Sequence, residues 1–67
     1  MKIQYFKDTD TLYFQLNQAE IVESRDLDED TLLELGKEGQ VIAITIEHAQ
    51  KRVDLSDVSF THIPAVA

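Results

Sequence analysis

The chain reads as a mainly β domain, or α+β if a short helical turn after Glu47 is counted. The predicted architecture is a small antiparallel β-meander of about four strands in two consecutive hairpins, followed by a C-terminal tail or extra strand. Three observations predict it. Residues 41–46 (Val-Ile-Ala-Ile-Thr-Ile) are dense in β-branched side chains, which suit a pleated surface. Residues 2–6 and 11–16 alternate with a period of two, as a strand does. The turn formers Gly36-Lys37-Glu38-Gly39 lie between two apolar runs, the arrangement of a hairpin.

In residues 2–6, Ile3 and Tyr5 share one face, and Lys2, Gln4 and Phe6 the other. Lys7-Asp8-Thr9-Asp10 supplies a turn, because aspartate side chains can bond the backbone two residues on. Residues 11–16 then set Leu12, Phe14 and Leu16 against Thr11, Tyr13 and Gln15, which closes an N-terminal hairpin. Residues 17–20 break the alternation and read as a turn. Residues 21–24 suit a short strand or extended edge, and residues 25–30 an acidic loop.

Residues 31–35 are open to two readings. Asp28 suits a helix cap and Gly36 a helix end. Only about two turns would fit, however, and so short a helix is marginal in water. Leu33 and Leu35 alternate with Glu34, and the strand at 41–47 needs a neighbour, so a strand is expected. In that following strand Ile42, Ile44 and Ile46 point one way, and Val41, Ala43, Thr45 and Glu47 the other. Both faces are apolar near residues 41–43, which predicts a central strand with a second face to cover. Residues 48–52 suit one or two helical turns, residues 53–57 are irregular, and residues 58–63 have strand composition before Pro64.

The 67 residues allow one domain, with the tail running over 53–67. A domain this small buries only about 60% of the surface its unfolded chain exposes. It contains no cysteine, so neither a disulfide nor a thiolate–metal site can reinforce it. Homodimerisation is the expected remedy. The apolar content of 43% excludes a disordered chain. No apolar run approaches the ~20 residues that span a bilayer, and the first residues lack a signal-peptide core, so a cytoplasmic protein without a membrane partner is expected. The net charge of −7 opposes a phosphate backbone and excludes nucleic acid; a basic protein is the fitting partner.

The opening residues and the central hairpin resemble the small bacterial proteins grouped as domain of unknown function 2283. The first hallmark is Tyr5, the acidic turn 7–9, and Asp10-Thr11-Leu12-Tyr13-Phe14-Gln15-Leu16. The second is the strand 32–35, the turn 36–39, and the Val/Ile-rich strand running into Glu47 and Ala49. The likeness covers about residues 1–52 and departs at His48, where such proteins often carry aspartate. It implies a β-rich fold of uncharacterised function. Some relatives are thought to sit beside toxin-like genes, which implies a small binding or neutralising role. It brings no catalytic residues.

The remaining constellations are weak. Asp26, Asp28 and Asp30 alternate like the start of a calcium loop, but the positions that need glycine and a bidentate glutamate hold Thr31 and Lys37. His48 and His62 lack metal-ligand spacing. Asp8, Asp10, Glu20 and Glu23 fall on turns and strand ends, where solvated acids belong. Ser24, Ser56 and Ser59 lack the setting of a nucleophile. Among the aromatics, Tyr5 and Phe14 are expected in the core. Phe6 and Tyr13 share the other face, where they form an interface or lie under the tail. The candidate interface is thus Phe6, Tyr13, Val41, Ala43 and Phe60. Two functions are expected in this order: a non-enzymatic homodimeric interaction module without cofactor, then a small-molecule or metal-binding protein with a site near Glu47 and His48.

Overall fold

The computed structural model describes residues 1–61. Five strands form a single antiparallel sheet: β1 (Lys2–Phe6), β2 (Thr11–Gln15), β3 (Ile21–Asp28), β4 (Thr31–Gly36) and β5 (Val41–Ile46). A single 3-10 turn, Ala49–Lys51, follows, in the place where a helical turn is expected. The mainly β antiparallel class is as the sequence predicts.

Two features differ from the expected meander. The strand order is β1-β2-β5-β4-β3, so the last strand lies between β2 and β4. Strands β3, β4 and β5 are joined serially, and β2 lies beside β5, as in a Greek key whose long connection comes first. Residues 16–20 make that connection across three strand spacings. In addition, residues 25–28 are the second half of β3 and not an acidic loop. Every residue of β3 is exposed, so no burial pattern marks it. Its pairing with β4 makes it a strand, and charged side chains are ordinary on a sheet edge.

The register fixes which side chains share a face. One transverse row runs Ile3, Phe14, Ile44, Leu33, Arg25 across the five strands. Two residues along, a parallel row runs Tyr5, Leu12, Ile46, Thr31, Asp28. The opposite face carries Gln4, Tyr13, Thr45, Leu32, Asp26 and then Lys2, Gln15, Ala43, Glu34, Ser24. The sheet therefore has one apolar face and one largely polar face. The second apolar face expected for β5 reduces to Ala43, which is fully buried between Gln15 and Glu34. A register shift beside Leu35 leaves Ile42 as an extra residue on β5, which interrupts the alternation that pairs Val41 with Ala43.

The core is small. Leu12, Leu35, Ile42, Ala43 and Ala49 are its buried apolar residues among those described. Ile42 is 1% exposed, while Phe60 is 72% exposed. The described part of the expected C-terminal strand, residues 58–61, pairs with nothing; His62 and Ile63 lie outside the described residues.

Ile42→Val removes one methylene from the largest fully buried side chain, so its urea midpoint should fall by the equivalent of ~1 kcal/mol. Phe60→Ala should leave that midpoint within about 0.5 kcal/mol of the parent.

Candidate functional site

The chain that leaves β5 folds back across the apolar face. His48 has φ 53°, a left-handed conformation that turns the backbone sharply after the strand. Asp10, also at φ 53°, ends the β1–β2 turn. The two turns meet. The Ala49 N–H donates to the Asp10 carbonyl at 3.0 Å, and the Gln50 N–H donates to the Asp10 carboxylate at 3.2 Å. Tyr5 donates its hydroxyl to the same carboxylate at 2.6 Å and accepts from Gln50 Nε2 at 3.2 Å. On the other side the Glu47 N–H donates to the Asp30 carbonyl at 2.8 Å, and His48 Nδ1 lies 2.8 Å from Asp30 Oδ1. Arg52 donates to the Thr31 hydroxyl and pairs with Asp28 at 3.5 Å.

Residues 49–52 thereby span the row Tyr5, Leu12, Ile46, Thr31, Asp28 from end to end, touching Tyr5 at one limit and Thr31 and Asp28 at the other. The neighbouring row has no such cover. Ile3 is 53% exposed, Leu16 is exposed beside it, and Phe14, Ile44 and Leu33 are half-buried. This uncovered apolar band is the candidate site.

The expected interface residues fall elsewhere. Phe6 and Tyr13 lie on the polar face together with Ala43; Phe6 is exposed, Tyr13 half-buried and Ala43 inaccessible. Val41 sits at the β-bulge, and Phe60 is outside the sheet. The residues of the band were visible in the sequence as the faces Ile3/Tyr5 and Leu12/Phe14/Leu16. Their lateral union depends on β5 coming to lie beside β2, for which the sequence holds no local signal. Gln50 and Arg52, which hold the return turn, likewise act through partners 40 and 21 residues away.

Around Glu47 and His48 the surface is acidic and shallow. An open hollow of about 350 Å³ is lined by Glu29, Asp30, Glu47, His48 and Lys51, and a recess of about 130 Å³ beside it by residues that include Asp26, Asp30 and Glu47. A larger open hollow of about 620 Å³ is lined by residues 50–56 alone, one stretch of loop. Among the described residues, no three His, Cys, Asp or Glu side chains are placed to hold a metal ion. Among those residues, too, no helix is long and apolar enough to cross a membrane.

The family model described as Protein of unknown function (DUF2283) matches residues 2–50. The chain belongs to this family. The DUF2283 match takes in all five strands and ends inside the 3-10 turn, so the Asp10–Gln50 contact falls within it and Arg52 just beyond. No curated protein and no solved structure matches the chain.

Two shifted acids report on this arrangement. Acceptance by the Asp10 carboxylate holds the Tyr5 phenol above its ordinary 10.0; desolvation adds to this, and the Gln50 bond opposes it. Asp10→Asn removes the charge, and Asn also tolerates the left-handed backbone. Absorbance titration should then show the Tyr5 phenol moving down toward 10.0. The Asp30 N–H donated to Asp28 at 2.8 Å is the largest cause holding the Asp28 carboxyl below 3.8, with Thr31 and Arg52 adding to it. A depressed acid stabilises the fold above its unfolded pKa, and this stabilisation is lost as pH falls through the folded value. The loss of stability below about pH 4 should therefore be shallower in Asp28→Asn than in the parent, measured by urea unfolding at stepped pH.

Proposed function

We propose that this DUF2283 protein is a non-enzymatic interaction module that works as a homodimer, with two copies of the apolar face packed against each other. The observation that carries this reading is the uncovered row Ile3, Phe14, Ile44, Leu33, lying beside a row that the chain does cover. A sheet with one apolar face needs a second layer. Residues 49–52 supply it for one row; further along the tail Val53 and Leu55 are half-buried, but Val58 and Phe60 are exposed, and Ile3 in the other row stays 53% exposed.

A second copy fits because the face is apolar over four successive strands, β1, β2, β5 and β4, so a two-fold pairing sets like against like without opposing charges. The product is a sandwich of two aligned sheets, an ordinary β architecture. A cysteine-free acidic protein of this kind suits the cytoplasm.

Sedimentation equilibrium tests the reading. The parent should sediment as a dimer. Ile3→Asp and Leu16→Asp place charge in the band at exposed positions; each should shift the equilibrium to monomer by at least tenfold in Kd and keep the β circular dichroism. Phe6→Asp, on the polar face, should leave the dimer intact. A monomeric parent, or a dimer broken by the Phe6 change alone, would sink the proposal.

A further inference from the structure

We infer that the free edge of β3 takes up a basic, extended segment of another protein as a sixth strand. This extends the reading of the molecule as an interaction module, and it assigns the partner a place away from the dimer face. β3 is the last strand of the sheet, eight residues long, with every residue exposed and only one of its sides paired. Its outer backbone N–H and C=O groups are therefore a template for another strand. Register shifts leave Val22 and Leu27 as extra residues on β3, so both ends bulge and the regular template is the stretch from Glu23 to Asp26.

Charge decides what the template accepts. Residues 20–30 hold six acids and one base, which is −5 of the chain's −7. The base, Arg25, is already engaged by Glu23 at 2.8 Å. On the polar face the edge presents Ser24 and Asp26, with Glu34 next to Ser24 one strand further in. A second copy of β3 laid alongside would bring two such segments, each of net charge −5 over residues 20–30, together, and that repulsion disfavours a ladder between copies. The charges that oppose self-pairing favour cations at the same positions. On the apolar face the edge presents Glu23 and Arg25 beside Leu35 and Leu33, where an apolar side chain of the added strand would prolong the Leu33 row. The chemistry that fits is a segment with Lys or Arg at alternate positions and Val, Ile or Thr between them.

The experiment uses the full-length ¹⁵N-labelled protein and a synthetic octapeptide alternating Lys and Val. A second peptide has the same charge but proline at the central valine positions, so that it cannot form a ladder. The alternating peptide should slow amide exchange in residues 23–26 by at least tenfold, and the proline peptide should not. In the double variant Glu23→Lys and Asp26→Lys the alternating peptide should bind about tenfold more weakly. Equal effects of the two peptides would reduce the contact to diffuse charge attraction and overturn the proposal. Protection on β1 instead, or none at millimolar peptide, would also overturn it. So would slowed edge exchange that grows with protein concentration in the absence of peptide, because the edge would then pair copies of the chain. A monomer that still takes the peptide on β3 would fail the homodimer reading alone; a dimer that ignores the peptide would fail this one alone.

Discussion

Everything in this molecule depends on β2 and β5 lying side by side. The first hairpin and the three-stranded unit β3-β4-β5 are each local structures, and a lone hairpin is marginally stable in water. The ladder that sets Leu12 against Ile46 and Phe14 against Ile44 makes them one sheet. It also aligns the apolar side chains of β1 and β2 with those of β5 and β4, so that short stripes become continuous rows. Closing this pairing needs the crossover of residues 16–20 and brings together positions about 30 apart in sequence, an ordering cost that the apolar rows must offset.

Once the sheet exists, the position of the return turn follows from its ends. Asp10 and His48 both adopt left-handed backbone, a conformation that aspartate and histidine tolerate better than most residues. The two turns sit at the same end of the sheet because β2 begins where β5 finishes. Asp10 can therefore accept from Tyr5, Ala49 and Gln50 together, and Asp30 can hold Glu47 and His48. These polar contacts do not make the core. They fix a short stretch of chain over one apolar row and so determine which row is left uncovered.

Much of this was legible beforehand. The period-two alternation of 2–6 and 11–16, the β-branched run 41–46 and the glycine turn all correspond to elements of the fold. Gly39, at φ 81°, occupies the kind of position for which glycine is suited. β3 was half-legible. An edge strand with both faces exposed has no hydrophobic pattern to betray it, and its acids resemble a loop. Alternation divides a strand into two sets without saying which set finds apolar neighbours, so Phe6, Tyr13 and Ala43, with Val41 and Phe60, read from the sequence as an apolar surface. Tyr13 stands between Gln4 and Thr45, and Ala43 between Gln15 and Glu34. Phe14, its neighbour in sequence, stands between Ile3 and Ile44.

The sequence by itself determined the class of the fold, the local hairpins, the absence of cysteine reinforcement and the acidic character. These are set by side-chain propensity, turn chemistry and composition, which act over a few residues or over the whole chain. Tertiary structure alone decided the strand order, which face is apolar across its width, and which of its rows lies open. Those depend on lateral register between segments far apart in the chain, and a shift of one residue would send every side chain of a strand to the other face.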